Sequence, residues 1–578
     1  MKSFKAWAGA FALASAAALM PLSPAQTLQV LTAGSSAQFG PFAVAAYSLA
    51  TAGGASAFHY TVKSGSCASG STTCYASVSD SRKVNSITIP NEPGNLWVVW
   101  SKNGIWAYLS VDSTVGVRAF QAQPRATLAL AALSSLPLSS TSNYLFWADN
   151  TKDTALTSAI YGAINGKAFT AANTDIRAED ALFATTNALV TLKYAQPNSN
   201  NLIGYGIQSH FKTTVATPVA FVVSGKDPLS GDTVSAPITI PIGAAPITIL
   251  VNTTTGSGAA SATNLRVEEN NTNNASALFS GSGNCAGNLL DGVAATVALN
   301  PVLREPLSGT MNTFDFTNPR ADGGNSQETG ISGNNVPPGS DGNSNPLQLP
   351  CGSGHRYRAI GTGDEVGGVQ ATVNGVGYAF FSYESVNTNA NYKYIQLDAV
   401  DPINASYSTG SLPSCPTSSG HFNCPIAPGK SFPHLRDGSY RSWSMYRILT
   451  DSNGQAAAQK LVNQADTDVN LNIPDFVPFN PICRTSPTGA DEPGLDVYRQ
   501  HFIPSGQTGT ADDGPQQAAV HCTLGGAHSL PFLTLGGVDP TGKNTEAGGD
   551  VGGLIEGPFS ATHQPTVPGP TGQTEKTN

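Results

Sequence analysis

Apolar runs of strand length alternate along this chain with stretches that have helical spacing. Leu28–Gly34 is mostly apolar and ends in a glycine turn, and Ser35 and Ser36 are suitable N-cap residues for a helix over residues 39–49. A strand that leads into a capped helix is typical of an α/β unit. The same patterns predict further strands at residues 95–100, 105–111 and 245–252, a return of ordered structure at 377–383, 393–397 and 442–449, and a further helix at 455–462.

Long polar stretches separate these elements. Residues 264–282 are rich in Asn and Ser, and residues 320–354 form a Gly/Asn/Pro segment far longer than an ordinary connection. Both are expected to be surface excursions from one scaffold. Beyond about residue 540, the Gly, Pro and Thr content predicts a disordered tail.

The N-terminus has the pattern of a secretory signal. A basic start precedes a run of small and apolar residues over 8–20, and Ala25 closes a small-residue cleavage pattern before Gln26. No Cys follows the run, which argues against a lipid anchor, and no later segment has the ~20 consecutive apolar residues of a membrane helix. We therefore expect residues 1–25 to be removed and the mature chain to be periplasmic or secreted, without membrane insertion.

Length and charge narrow the range of functions. The chain has 578 residues, with 29 Lys and Arg against 38 Asp and Glu, which gives a net charge of −9. That length is enough for two or more cores. The acidic balance argues against nucleic acid as a partner, because such binding needs a basic surface.

The eight cysteines form an even set behind a secretory signal, a pattern that favours disulfides. Zinc binding is the alternative, but Cys-x-x-Cys spacing does not occur. We predict neither a metal nor a cofactor. Pairing by proximity in the sequence predicts the bridges Cys67–Cys74, Cys285–Cys351, Cys415–Cys424 and Cys483–Cys522.

Residues 301–314 carry the clearest chemistry. An apolar strand ends at Arg304, and a turn leads to a helix that starts with Ser308, Gly309 and Thr310. Backbone N–H groups at a helix start are unsatisfied and lie at the positive end of the dipole, and an arginine adds a fork of charged donors. These residue types predict an oxyanion site. The alternative is that the serine only caps its own helix.

The spacing of Arg304 and the Ser308-Gly309-Thr310 triplet resembles that of the periplasmic phosphate-binding proteins of ABC importers, within the type II periplasmic-binding superfamily. The turn from Gly34 to Ala37 is similar to the family's opening motif, and weaker segments follow in the family's order from residue 28 to about 465. The resemblance implies a two-lobed α/β fold of the type II class, here with β-rich insertions. It implies a first lobe at residues 26–252 and 432–539, a second lobe at 253–431, and the tail at 540–578.

The resemblance also implies ligand-binding residues in the first lobe. Ser36 takes a hydroxyl position, Ala37 a backbone contact, Ser113 a second hydroxyl position, and Asp180 the position of a buried carboxylate. Such a carboxylate accepts a proton from the ligand, so hydrogen-bearing phosphate is favoured over sulfate. Capping of the following helix or a pair with Arg177 is the alternative for Asp180.

Two features depart from the family pattern. Pro306 stands where the family has an aspartate that orients the arginine, and the neighbouring Glu305 would point elsewhere. The stretch between Ser113 and Asp180 is also much longer than in the family. Both departures concern the ligand rather than the fold.

These features together predict an exported solute-binding protein that captures phosphate or a similar tetrahedral oxyanion between two lobes. We expect a monomer that delivers its ligand to an ABC permease. A secreted or cell-surface structural protein on the same scaffold is the alternative. An enzyme is disfavoured, because no Gly-x-Ser-x-Gly elbow surrounds Ser308 and the histidines are scattered in polar segments.

The disulfide pattern can be tested directly. Mass spectrometry of the exported protein without reduction is expected to find no free thiol. Cys67–Cys74 and Cys415–Cys424 are expected to be the most readily found bridges, because they close the shortest loops. Several reduced cysteines in protein recovered from the periplasm would contradict the prediction.

Overall fold

The computed structural model describes residues 26–60, 75–81, 91–136 and 153–176 and, with short gaps, 233–318, 349–407 and 431–478; of the rest it describes Gln327, Gly410 and several short strand segments. The signal segment, Asp180 and three of the four predicted disulfides lie outside the described residues. Cys285 and Cys351 are described and form the predicted disulfide, with their Cα atoms 5.5 Å apart.

The described strands include every region that the apolar runs predict to be a strand, and strands also occupy the three later regions predicted to be ordered. The strand predicted at 245–252 begins earlier, at Ile238, and the others differ by a few residues at their ends. The strands are β1 (Leu28–Gly34), β2 (Ser56–Tyr60), β3 (Ala76–Ser79), β4 (Glu92–Pro93), β5 (Asn95–Ser101), β6 (Gly104–Ser110), β7 (Thr127–Leu130), β8 (Ala171–Thr174), β9 (Ile238–Asn252), β10 (Arg266–Val267), β11 (Asn300–Arg304), β12 (Leu349–Cys351), β13 (Gly354–Ala359), β14 (Gly375–Phe380), β15 (Tyr392–Leu397), β16 (Trp443–Thr450) and β17 (Val477–Pro478).

Both helices predicted from spacing are present, and each continues further than expected. The helices are α1 (Phe39–Thr51), α2 (Ser113–Gln121), α3 (Ser158–Ile164), α4 (Asn274–Ser280), α5 (Gly309–Thr317), α6 (Gly361–Ala371), α7 (Pro433–Arg436) and α8 (Gln455–Leu471). Short 3₁₀ turns occur at Ser36–Gln38, Leu133–Ser135 and Gly287–Leu289.

A mixed sheet of 14 strands organises the fold, which confirms the predicted α/β class. Its strands lie in the order β12-β13-β11-β14-β9-β16-β8-β1-β6-β5-β2, while β15 and β17 also pair with β9 and β10 pairs with β15. Parallel pairs join β1 to β6 and β8, and β11 to β13 and β14. The pairs that flank β9 are antiparallel.

The long strand β9 joins two halves of this sheet. Its residues from Ile238 to Pro246 pair with β16, whereas those from Ile247 to Asn252 pair with β14 and β15. We call the strands β16, β8, β1, β6, β5 and β2 the first half, and β14, β11, β13, β12 and β15 the second half. The chain thus passes from one half to the other within a single strand.

The strands of the first half are buried on both faces. Along β5, Trp97 and Val99 belong to the large core around α1, whereas Leu96, Val98 and Trp100 belong to a second core on the opposite face. Successive side chains of a strand point to opposite faces, so a strand covered on both sides has to be apolar throughout. This explains the uninterrupted apolar runs in the sequence.

Parallel strands bring the loops that carry polar and charged residues to the same edge of the sheet. In the first half, β1, β6 and β8 end side by side, with Gly34 opposite Ser110 and Asn173. In the second half, β11 and β13 run parallel and lead towards α5 and α6. Segments distant in the sequence therefore meet wherever these carboxyl ends meet.

Smaller sheets lie outside the main one. Strands β4, β3 and β7 form a three-stranded sheet. None of the helices in the described part of the chain is long and apolar enough to cross a membrane. The remaining short strands pair as Lys83–Val84 with Ile87–Thr88, Gly225–Lys226 with Thr233–Val234, Thr417–Ser418 with His421–Phe422, Val497–His501 with Asp550–Leu554, Thr508–Thr510 with Thr534–Gly536, and Ala519–His521 with Gly526–His528.

Helix α2 lies directly on the end of β1 at Gly116. A methyl group at this position would overlap the carbonyl oxygen of Ala33 and the Cα atom of Gly34. We expect Gly116→Ala to lower the free energy of unfolding by about 1–3 kcal/mol, because two backbone segments cannot move apart without disturbing the sheet.

The matched control is Gly367→Ala on the exposed side of α6, where no atom lies within 4 Å of the added methyl group. This change should raise the free energy of unfolding by about 0.5–1 kcal/mol through helix propensity alone. Denaturant titration of the three proteins measures both effects. Equal stability of the two variants would contradict the packing described for α2.

Candidate functional site

Three polar segments follow the parallel strands of the first half. Ser35 and Ser36 come after β1, Asp112 and Ser113 after β6, and Asp175 after β8. Because these strands end side by side, their loops lie together although more than 60 residues of sequence separate each segment from the next.

Asp175 is the buried carboxylate of this edge. Its side chain accepts a hydrogen bond from the Ser113 hydroxyl and one of 3.3 Å from the Ser35 hydroxyl. The hydroxyl of Ser444 on β16 donates to its carbonyl oxygen at 2.6 Å. Burial raises the pKa of Asp175, while the hydrogen bonds and the charge of Arg304 act in the opposite direction without cancelling it.

Arg304 is a buried cation of the second half. It ends β11, and only 1% of the residue is exposed. Its backbone N–H donates to the Tyr378 hydroxyl on β14 at 3.3 Å. The ring of Tyr378 stacks on Phe314 of α5 at 4.3 Å between centroids.

Gln327 supports Tyr378 from the long polar segment between α5 and β12. Its side-chain oxygen accepts a 2.5 Å hydrogen bond from the Tyr378 hydroxyl, and its carbonyl oxygen accepts one of 3.2 Å from Arg356. Its side-chain amide donates to the carbonyl oxygen of Met311 at 3.4 Å. Gln327 is fully buried. One residue of the polar excursion thus packs behind Arg304.

The guanidinium of Arg304 contacts two hydroxyls and two carboxylates. Its Nη1 donates to the hydroxyls of Thr362 at 3.2 Å and Thr310 at 3.4 Å. Its Nη2 donates to Asp112 Oδ1 at 3.1 Å, and its Nε lies 3.9 Å from Glu365 Oε2.

Several contacts connect the two halves at this point. Arg304 bonds to Asp112, the Ser36 hydroxyl lies 2.7 Å from the Thr362 hydroxyl, and a methyl group on Gly309 would overlap the carboxylate of Asp175. We call the residues joined in this way the Arg304 cluster: Ser35, Ser36, Asp112, Ser113, Asp175, Arg304, Gly309, Thr310, Thr362 and Glu365.

Helix starts surround the cluster. Ser113 begins α2, Gly309 begins α5, and Thr362 lies in the first turn of α6, while Ser36 starts the turn that leads into α1. The first N–H groups of each helix have no partner within the helix, and each start carries roughly half a positive charge. The arrangement is chemically suited to binding an anion with several oxygen atoms.

Most residues predicted from the sequence lie in or beside the cluster. Ser36, Ser113, Arg304, Gly309 and Thr310 are members. Two others have local roles, because the backbone N–H of Ala37 donates to Ser35 Oγ at 3.2 Å and Ser308 Oγ accepts from Met311 N at 3.3 Å. Ser308 is therefore the N-cap of α5, and its predicted part in ligand binding stays a prediction.

The buried carboxylate was sought at Asp180, which lies outside the described residues, whereas the structure places Asp175 beside Ser113. The feature of the sequence that could have indicated Asp175 is its position directly after the strand at residues 171–174. Sequence reasoning also missed Asp112, Thr362 and Glu365. Asp112 directly precedes Ser113, and Thr362 follows a helix-starting glycine, but only the fold shows that both face Arg304.

Comparison with known proteins gives distant structural similarity. No family model and no curated sequence matches the chain. A phosphate-binding protein from Stenotrophomonas maltophilia is 15% identical, over 62% of this chain and 76% of that one, with a TM-score of 0.26. An ABC-type phosphate transport receptor from Vibrio cholerae is 12% identical, over 40% and 66%, with a TM-score of 0.22.

A high-affinity periplasmic phosphate-binding protein, PfluDING, solved with phosphate, is 14% identical, over 64% of this chain and 83% of that one, with a TM-score of 0.29. The solved structures that resemble the chain are thus binding proteins. The chain spans only about two thirds of the length of some of them. Because these TM-scores are low, the case for the candidate site depends on the contacts of the Arg304 cluster.

The raised pKa of Asp175 predicts a pH-dependent contribution to stability. The folded protein holds the proton of this carboxyl more tightly than the unfolded chain, whose aspartates have a pKa near 3.8. Its contribution to the free energy of unfolding therefore falls as pH rises from about 4 towards neutrality. Asp175→Asn should remove this slope and gain stability relative to the wild type with increasing pH.

Asp451→Asn is the control with the opposite sign. Although desolvation raises the pKa of Asp451, hydrogen bonds from Gly454 and Arg125 lower it overall. That variant should lose stability relative to the wild type as pH rises. Denaturant unfolding across the acidic range measures both differences, and a pH-independent difference for Asp175→Asn would refute the assignment.

Proposed function

We propose that this chain is a solute-binding protein that holds a tetrahedral oxyanion at the Arg304 cluster, with phosphate as the first candidate. The observation that carries the proposal is the meeting of three helix starts and the turn before α1 around one buried guanidinium. Each part alone has a structural explanation, since helix starts are commonly capped and buried arginines are commonly paired. Their convergence from both halves of the sheet is better explained by a shared ligand.

The donors of the cluster match the needs of such an ion. Moving a charged oxyanion out of water is costly unless many donors replace its hydration. Arg304 supplies a charged planar fork, the hydroxyls of Ser36, Thr310 and Thr362 add rotatable donors, and the helix starts add fixed ones. These groups hydrogen-bond to one another in the structure, so bound oxygen atoms would replace contacts that already exist.

Asp175 gives the proposed site a preference among tetrahedral ions. A carboxylate can accept a hydrogen bond from a ligand that carries a proton, whereas a fully deprotonated ion would face it as an unpaired like charge. Protonated phosphate therefore fits the site better than sulfate. This is the role that the sequence assigned to Asp180, now proposed for Asp175.

The wider role follows from the sequence and stays part of the proposal. The signal pattern at residues 1–25 supports export to the periplasm or beyond, and a single site between two halves of a sheet suits a monomer that delivers its ligand to an ABC permease. Binding without turnover is proposed, because no Gly-x-Ser-x-Gly elbow surrounds Ser308, and its hydroxyl accepts the N-cap hydrogen bond of α5.

The test is calorimetric titration of the mature protein with phosphate, compared with Arg304→Ala. Loss of one member of a buried charged network weakens binding by about 2–4 kcal/mol, or roughly 30- to 1000-fold in Kd. Arg441→Ala is the matched control, because Arg441 is also buried but donates to the carbonyl of Thr317 at the opposite end of α5. It should leave the affinity within a few-fold of the wild type.

Thermal unfolding distinguishes the proposal from a structural protein on the same scaffold. A ligand that binds only the folded state raises stability with its concentration, and a structural protein gains nothing. Phosphate, arsenate, molybdate and sulfate form the screening set. No shift with any of them, and equal titrations for the wild type and Arg304→Ala, would refute the proposed function.

A further inference from the structure

Asp112 is placed unusually for a residue at the start of a helix. It is the N-cap residue of α2, a position where aspartate commonly accepts hydrogen bonds from its own helix. Its side chain makes no such bond. Instead its Oδ1 accepts the hydrogen bond from Arg304 Nη2 at 3.1 Å, from the other half of the sheet. Both side chains are almost completely buried.

Several further contacts of Arg304 come from its own half. Thr310 begins α5, Thr362 and Glu365 lie on α6, and Tyr378 lies on β14. These contacts hold Arg304 in the second half. The hydrogen bond that Arg304 donates to Asp112 ties the guanidinium to the first half through a charged contact.

The balance of charge around Arg304 is negative. Three buried carboxylates, Asp112, Glu365 and Asp175, surround one guanidinium. Other ionisable groups on the neighbouring elements include Tyr378 on β14, Tyr446 and Arg447 on β16, Arg356 on β13, Tyr108 on β6, and Arg118 on α2 with its partner Glu92. Helix starts offset part of this charge, but each further negative charge on a ligand meets the field of Asp112 at short range.

We propose that Asp112 is a positioning and specificity residue, which holds Arg304 from across the sheet and limits the negative charge of the oxyanion that binds. The inference rests on the proposed function. It gives the ligand class as a singly charged, hydrogen-bearing oxyanion. It also makes the site complete only when both halves contribute, because the bond that orients the guanidinium is formed between them.

The test compares wild type and Asp112→Asn by titration with sulfate, which stays doubly charged, and with phosphate at an acidic pH where the singly charged form predominates. At an effective dielectric constant of about 20, one unit charge about 4 Å away changes an equilibrium constant by about three orders of magnitude. We expect Asp112→Asn to raise the ratio of sulfate to phosphate affinity at least tenfold. A misplaced guanidinium would weaken both ligands and leave this ratio unchanged.

The matched control is Asp401→Asn, a buried aspartate of the second half whose partners are Tyr394, Ile403 and Asn404. It should leave the ratio as in the wild type. Asp112→Ser keeps a favourable N-cap residue for α2 and replaces Asp112→Asn if that variant does not fold. In the wild type itself, phosphate should bind more tightly at acidic than at alkaline pH.

The outcomes separate the two proposals. Wild type that binds neither ion at any pH overturns the proposed function, and this inference with it. Wild type that binds phosphate, with the same sulfate-to-phosphate ratio in the Asp112 variant, overturns this inference alone. A ratio raised at least tenfold in the Asp112 variant and unchanged in Asp401→Asn supports it.

Discussion

The contact between Arg304 and Asp112 is the interaction on which the rest of the site depends. A buried guanidinium is stable only when charged and polar partners replace the water it has lost. Here those partners come from both halves of the sheet, so the polar side chains can be satisfied only if the halves meet. Strand β6 ends just before Asp112, and strand β11 ends at Arg304. The order of the strands therefore brings these two side chains within hydrogen-bond distance.

The strands and the class of the fold could be predicted because local patterns of apolar and polar residues indicate them. Apolar runs such as 95–100 mark strands buried on both faces, and the hydroxyls after Gly34 mark the start of the first helical turn. The ends of the elements were harder to place. Strand β9 begins at Ile238 rather than 245 because its first part pairs with β16, a partner that lies about 200 residues further along the chain.

The site was only partly predictable for a related reason. Arg304, Gly309 and Thr310 share one motif, so local reasoning finds them together. No local motif identifies Asp112, because an aspartate before a helix is expected to cap that helix. Its hydrogen bond with Arg304 forms only through the fold. A carboxylate was expected at Asp180, because the segment from Asp175 to Ala181 resembles the family's pattern, and this residue lies outside the described part of the chain, so its role stays a prediction.

The buried Gln327 has a consequence for how this chain can vary. The segment between α5 and β12 is long and polar, yet one of its residues completes the hydrogen bonds of Tyr378 and Arg356. Connections of this kind tolerate changes of length at little cost in stability. Insertions or deletions on either side of Gln327 can therefore accumulate freely, whereas loss of this one residue would leave buried polar groups unsatisfied directly behind Arg304. In an alignment of close homologues, the segment should vary in length, whereas the glutamine at position 327 should be retained.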